Sequence, residues 1–434
     1  DNLGVNDSIS TVDIGVRWSN LATSLSWKHQ FSNACWNTKA HFSGFKNFVD
    51  VNEIAMRVNA QSALASTGLK SDIEIDIYKN MQLITGFEYN LFFNNPLSFL
   101  TDSLNFVNDS ISGLNALNEL SLFVDYRHSV SKYFHYAVGL RPSIWLSNDG
   151  QQFMAISPRL SFDCPFHKSH KLKLHYGIYH QALHKAALTD GGLPTDYFFL
   201  ANRFNAPESA HSLSFAYNGE IINGVYSFSA ELYFKQLYNV IESTSNILEM
   251  VNTGFDYRSG LLVGKGRNYG LNLMFRKNKG YIKGYMSYTL GWAKRNFDSL
   301  GEGYIIRARH DRRHNLVVVL NSQLSKRWSI GAMFVLASGA PYTQPKTAYI
   351  LNRRVMYEFG VHNAASMPLY HRLDLSANYY IIKKQHQELG LNLSLYNVYA
   401  HKNVQFILPT ANFSMQEVSF FATIIPSVSC FFRF

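Results

Sequence analysis

The sequence predicts an all-β fold, an antiparallel transmembrane barrel of the outer-membrane kind, and three observations carry that reading. Segments with one apolar and one polar side recur along the chain, and a period of two marks strands. No run of about 18 apolar residues occurs, which excludes helical spans and leaves a dispersed, strand-based membrane signal. Connections alternate short and long, the asymmetry of barrels whose short turns face the periplasm and whose long loops face outward.

Composition sets the class. The 434 residues are 47% hydrophobic, 15% aromatic and only 16% charged, too apolar and aromatic for disorder and long enough for one large unit. The formal net charge of +10 comes from scattered Lys and Arg rather than a stripe, so nucleic acid is not an expected partner. Cys35, Cys164 and Cys430 are far apart and odd in number, which fits neither a disulfide framework nor a CxxC metal site. Asp1 to Ser10 is polar and carries no signal peptide, so the start of a precursor is expected to lie outside this sequence.

In chain order, Thr11 to Trp18 and Leu21 to Phe31 read as strands with a phase change at Ser19-Asn20, a turn or a bulge. A strand from Cys35 to about Asn47 follows, then a connection to about Ser66. From Lys70 to Tyr78, Ile73, Ile75 and Ile77 alternate with Asp72, Glu74 and Asp76, whose carboxylates require water or a polar lumen. Gln82 to Phe93 precedes a long connection from Asn94 to Leu117.

Short turns are expected near Asn33, Asn80, Lys132, His167, Asn223, Lys279, Lys326 and Gln385, and long loops near 94–117, 184–208, 243–265, 298–312 and 341–369. Leu373, Leu375, Ala377 and Tyr379 alternate with Arg372, Asp374, Ser376 and Asn378. Leu389 to Leu395 alternates with Gly390, Asn392, Ser394 and Tyr396 in the same way. The last strand, Ser427 to Phe434, ends on an aromatic residue, with Phe432 and Phe434 as the expected C-terminal assembly signal. The total is about seventeen or eighteen strands, too wide a ring to be filled by its own side chains.

Gly270, Gly284 and Gly339 are expected to relieve crowding or mark bulges. Trp145, Trp292, Trp328, Tyr342 and Tyr399 are expected at the membrane interfaces. Arg312, Arg313 and His314 beside Asp311 read as ion pairing or interfacial anchoring before ligand contact.

Several stretches carry a family resemblance. They are Ser157-Pro158-Arg159-Leu160; Tyr179-His180-Gln181 with Leu183-His184 and Leu193-Pro194-Thr195-Asp196; Glu231 to Lys235; Gly264-Lys265-Gly266 with Tyr269-Gly270-Leu271; and Gly284 to Leu290. Further on come His310 to Leu316, Ala337 to Thr343, Tyr370 to Asp374, and Tyr396 to Tyr399 with Lys402-Asn403. In this order, over residues 60–434, the chain resembles the barrel of TonB-dependent outer-membrane receptors, in particular the Bacteroidetes-type members.

The resemblance implies a twenty-two-stranded barrel in the outer membrane of a Gram-negative cell, closed by an N-terminal plug and energised by the TonB complex through a TonB box. The chain departs from that pattern at its start, with no plug-like α+β segment, no TonB box and room for only the later strands. Residues 1–434 are therefore expected to form one receptor-like barrel, either the C-terminal part of a longer receptor or a shortened relative.

Chemistry is thin. His180 and His184, with His175 nearby, are four apart on a strand and so about 13 Å apart, too far for one metal ion. Asp190, Asp196 and His184 lack a nucleophile motif such as GxSxG. Neither an enzyme nor a cofactor is expected. Recognition is placed on the loops: Phe198, Phe199, Asn202, Arg203 and Asn205 on one, and Tyr342, Gln344, Arg353, Arg354, Tyr357 and His362 on the other, suited to an anionic metal chelate, a glycan or a peptide. Two functions follow from different classes, a TonB-coupled uptake receptor and a plugless scaffold for other outer-membrane proteins or surface lipoproteins. Outer-membrane lipid is a partner in both.

Overall fold

A computed structural model describes residues 13–53, 56–101, 115–187, 196–243, 261–298, 304–351, 354–384, 387–409, 415–419 and 421–434. The wall begins with β1 (Asp13–Gln30), β2 (Ala34–Glu53), β3 (Met56–Tyr78), β4 (Met81–Thr101), β5 (Asn115–Ser131), β6 (Phe134–Ser147), β7 (Gln152–His167) and β8 (His170–Gln181). A hairpin, β9 (Leu183–Ala187) and β10 (Asp196–Leu200), interrupts it before β11 (Glu208–Ile221), β12 (Tyr226–Ser243), β13 (Leu261–Lys277) and β14 (Ile282–Asn296). The spur β15 (Ile305–Arg307) precedes β16 (His314–Gln323) and β17 (Trp328–Ala337). Loop strands β18 (Pro341–Tyr342), β19 (Pro345–Leu351), β20 (Arg354–Phe359) and β21 (Ala365–Ser366) lead to β22 (Tyr370–Lys384) and β23 (Gln387–Tyr396). A second loop pair, β24 (Val404–Pro409) and β25 (Met415–Ser419), precedes the final β26 (Ile425–Arg433).

One sheet of 18 strands holds the wall, and β15 is only a three-residue spur on β14. The other seventeen pair antiparallel with their neighbours in chain order. Such a ladder satisfies every interior N–H and C=O sideways, the condition for crossing hydrocarbon. Both β1 and β26 run toward the short-turn rim and have one neighbour each among the described residues. Joining them antiparallel takes an odd number of intervening strands.

The alternation sorts the two faces. Leu391 and Leu393 are exposed on the outer face, paired with Cys430 and Val428 of β26. Asn392 points inward and donates to Asn378 Oδ1 at 2.8 Å. Inside, Arg141 bridges Glu88 at 3.1 Å and Glu119 at 3.4 Å, Arg159 meets Asp125 at 3.2 Å, and Arg372 meets Asp374 at 3.0 Å. A hydrated lumen solvates such pairs, so they set side-chain positions more than stability. Gly270 and Gly291 leave the space over which the inward Tyr233 hydroxyl lies.

Aromatic pairs mark both rims. Trp27–Trp36, Tyr226–Phe275 and Trp328–Tyr379 sit beside short turns with ring centroids 5.2, 5.5 and 4.9 Å apart. Tyr269–Trp292, Tyr288–His314 and His371–Tyr399 occupy the opposite rim at 5.3, 6.2 and 5.6 Å. Between His371 and Tyr379 the outer face of β22 carries Leu373, Leu375 and Ala377. Eight residue steps at about 3.4 Å, tilted ~45°, give an apolar belt roughly 19 Å high.

Several expectations need correction. The phase change at Ser19-Asn20 is neither turn nor bulge, because β1 pairs with β2 without a break from Asp13↔Asn52 to Gln30↔Cys35. Likewise, much of the supposed connections 47–66 and 94–117 is strand, since β2, β3, β4 and β5 extend into them. These strands have 20, 23, 21 and 17 residues, where about 10 cross a bilayer. Their upper halves stand clear of lipid, where neither face has to be apolar. The connection 341–369 likewise contains paired strands. Trp145 is 2% exposed and lies inside rather than at an interface, and Tyr342 lies in the loop pair β18–β21. The turn near Gln385 falls outside the described residues.

Replacing Leu391 by Arg puts a cation in the lipid belt at a cost of about 2–4 kcal/mol, whereas Asn392→Arg enters the wet lumen. The expected outcome is loss of the heat-modifiable folded band on gels for L391R alone. Equal loss from both would contradict the assignment of faces.

Candidate functional site

The segment after β8 carries apolar residues of its own, Leu183, Ala186, Tyr197, Phe199 and Leu200, on a connection that polar residues would suit if it stayed in water. It folds inward instead. β9 packs against β12, while β10 reaches across to β3, β4 and β5. Tyr197 and Ala201 are fully buried, and Leu200 joins Leu117, Trp145 and Ala182 in one apolar cluster. Phe198 meets Phe45 of β2 edge-on, centroids 5.6 Å apart.

Backbone contacts pin the far end of the hairpin. Arg203 N–H donates to Asp149 Oδ2 at 3.2 Å, and Gln151 N–H to Oδ1 at 3.2 Å. Burial raises the Asp149 carboxyl, but these donors, with Ser147 and the Arg203 charge, outweigh it and leave it lowered. His184 is fully buried, stacked on Phe199 at 5.2 Å, and its ring nitrogens make no hydrogen bond of good geometry. Desolvation pushes its pKa down to about 4, and the Ala206 carbonyl offsets this only in part.

A cavity of about 580 Å³ lies between the hairpin and the wall at the long-loop end of the lumen. Its lining includes the charged Lys185, Glu208, Glu242, Arg295 and Arg309, together with His180, Gln181, Ser209 and His310. Arg295 is 7% exposed and donates to Asn268 Oδ1 at 2.8 Å and to the Lys294 carbonyl at 2.9 Å. Among the described residues no carboxylate comes within ion-pairing distance of it. A buried guanidinium balanced only at longer range holds a strong field in the cavity. Burial lowers His310, the Arg295 charge adds to that, and Glu242 and Asp311 partly oppose it.

The loops above the cavity are tied to its floor. Glu242 Oε1 accepts from Asn363 Nδ2 at 2.7 Å and His362 Nε2 at 3.3 Å. Asn363 adopts φ 54°, a conformation Asn tolerates better than most residues. Arg307 then laces the loop, donating to the carbonyls of Asn363, Ala364 and Ala365 at 3.2, 2.7 and 2.6 Å and to Ser366 Oγ at 2.9 Å.

The expected recognition residues take other places, and none lines the cavity. Phe198 packs on the wall. Asn202 shapes a turn, accepting from Phe204 N–H at 2.9 Å, and Arg203 lies over the Phe204 ring at 4.6 Å. Tyr342 is half-buried and Gln344 exposed. Arg354 and Tyr357 lie on β20, and Arg353 falls outside the described residues. The expected pair His180 and His184 is divided, His180 accepting or donating at Ser157 Oγ (3.0 Å) and His184 buried in the hairpin against Phe199. Of the expected basic cluster, Arg313 pairs with buried Asp311 at 3.3 Å. The cavity cations were hidden in sequence because they come from three separate segments, though Arg309-His310 stands directly before the cluster already singled out.

No protein-family profile and no curated protein matches the chain. Among solved structures it is similar to the ferric yersiniabactin uptake receptor FyuA from Yersinia pestis, with TM-score 0.67 and 10% identity over 96% of this chain and 62% of that one. The ferric citrate transporter FecA in its unliganded form gives 0.63 and 11% over 96% and 62%. The ferripyoverdine receptor of the outer membrane of Pseudomonas aeruginosa gives 0.64 and 12% over 96% and 56%. At such identities the likeness is one of fold, that of the barrels of these proteins, and the chain spans about three-fifths of their length.

Two outcomes are expected. His184 takes up a proton in the opened hairpin near pH 6.5 but in the docked one only near 4. Docking is thus complete above pH 6.5 and weakens by roughly 3 kcal/mol as pH falls to 4. Protection factors of the β9 and β10 amides, referred to the intrinsic exchange rate at each pH, should fall between pH 7 and pH 5, and H184F should remove the dependence. Arg307→Ala should expose the loop 359–366 to proteolysis while the barrel stays heat-modifiable.

Proposed function

We propose that this chain is the barrel of an outer-membrane uptake receptor for a large, scarce ligand that carries an anionic group. The observation behind this reading is Arg295, buried beside Lys185, Arg309 and His310 in the cavity at the loop end of the lumen. A ligand carboxylate or phosphate entering there meets a desolvated guanidinium, where charge-assisted pairing is strong. Metal chelates, acidic glycans and peptides all carry such groups. Of the recognition residues expected on the two loops, Asn202, Arg203, Tyr342, Gln344, Arg353, Arg354 and Tyr357 would make first contact, and of these Arg203 and Gln344 are exposed.

In this reading five further strands complete a twenty-two-stranded wall, satisfying the odd number that β1 and β26 require. An upstream plug fills the lumen, and the TonB complex supplies energy through it. Phe432 and Phe434, 58% and 97% exposed at the short-turn rim, serve as the assembly signal. The Bacteroidetes-type resemblance adds a surface lipoprotein as a partner over the loops.

Intact mass and N-terminal peptide mapping of the protein from outer membranes test the architecture. Upstream peptides and a mass well above 49.5 kDa support the receptor, and a mass near that value favours the scaffold. Titration with ferric chelates, acidic oligosaccharides and peptides tests the site. One class should bind, and R295A should weaken it by about 2–5 kcal/mol. Binding unchanged in R295A would exclude the cavity.

A further inference from the structure

The outer face of the barrel carries a cluster of cations directly above its upper aromatic row. Arg267 of β13 stands opposite Lys294 of β14, and one step below Tyr269 stands opposite Trp292. On the same face of β13 lies Lys265, and Arg313 stands immediately before β16 with its guanidinium 4.8 Å from the Trp292 ring centroid. Lys294 lies 5.8 Å from the Tyr269 ring centroid. Each aromatic ring thus supports a cation. Below, the face turns apolar, with Leu271, Leu273 and Phe275 on β13 and Leu290 and Met286 on β14.

The cluster is poorly compensated. Like charges directly opposite across two strands repel, as Arg267 and Lys294 do. Among the described residues no carboxylate lies within ion-pairing distance of Lys265, Arg267 or Lys294. Arg267 bonds only a neutral partner, Gln236 Oε1, at 3.0 Å, and Arg313 alone has a carboxylate, Asp311. On β6 and β7 the outward positions toward this rim include the apolar Leu146, Met154 and Ile156.

A second observation lies just beneath. An apolar groove of about 390 Å³ lies across the outer wall at and below Tyr269 and Trp292, lined by Leu213, Phe215, Leu232, Phe234 and Leu271. Cations at headgroup height over an apolar groove at acyl height form the two halves of a lipid site. We propose that Lys265, Arg267, Lys294 and Arg313 hold the phosphomonoester headgroup of an outer-leaflet lipid, with one acyl chain along the groove. The lipid neutralises the Arg267–Lys294 repulsion and ties β13, β14 and β16 together beneath the cavity wall. This rests on the outer-membrane reading.

The test uses the full-length protein from outer membranes, in neutral micelles containing phosphatidic acid and phosphatidylcholine in equal amounts, with retained lipid read by native mass spectrometry. Phosphatidic acid should be retained preferentially, and the preference should fall by about tenfold or more in K265Q/R267Q/K294Q. K279Q, at the opposite rim, should keep it. If the triple variant does not fold, added salt should abolish the preference of the unmodified protein while its folded band persists.

Equal retention of the two lipids, or the same preference in the folded triple variant, overturns the proposal. Displacement by millimolar inorganic phosphate also overturns it, because it would mark a site for soluble anions. A protein absent from outer membranes would sink the outer-membrane reading itself, whereas one present there without lipid preference would sink only this inference.

Discussion

Everything in this molecule depends on satisfying the backbone in hydrocarbon. A strand in lipid has no water for its N–H and C=O groups, so each must be paired by a neighbour over the whole membrane height. The seventeen-strand ladder does this, and it dictates the rest. Side chains alternate strictly between lipid and lumen, turns can be short only on one rim, and ion pairs such as Arg141 with Glu88 and Glu119 can lie only inside.

The same constraint frees the upper part of the chain. Above the aromatic row the strands continue in water, where pairing persists without an apolar face, and the connections between them hold the tertiary structure of interest. The β9–β10 hairpin is the main example. Its Tyr197, Phe199 and Leu200 find no lipid and are buried in the lumen, Leu200 against Leu117 and Trp145 and Phe199 against His184. This inward fold creates the cavity, and it buries His184 at the same time. Glu242 and Arg307 then fasten the loop 359–366 over the opposite side.

Charge is divided between two places with different neighbours. Arg295 faces inward among polar partners and belongs to the cavity, while its sequence neighbour Lys294 faces outward beside Tyr269 and belongs to the membrane surface. One residue step separates a site for something passing through from a site for something the barrel stands in. Period two makes that possible without any specialised loop.

The face pattern was legible in the sequence wherever lipid enforced it. Leu391 against Asn392, the alternation of β22, and the short turns at Asn33, Asn80 and Lys132 all follow from local chemistry, because hydrocarbon penalises each misplaced residue separately. Where that enforcement stops, local reading fails, as it did for the uninterrupted β1 and for strands β2 to β5 above the membrane. Trp145 shows the same limit, since a tryptophan near a strand end suits an interface until a distant hairpin covers it. Residues 185, 208, 242, 295 and 309 meet only after the wall has curved, so their shared cavity has no signature of spacing. Sequence by itself determined the barrel, its faces and its rims, because those arise from residue-by-residue transfer between water and lipid. Only the tertiary structure decided what stands in the lumen and where buried charge collects, because both depend on long-range burial that no local period encodes.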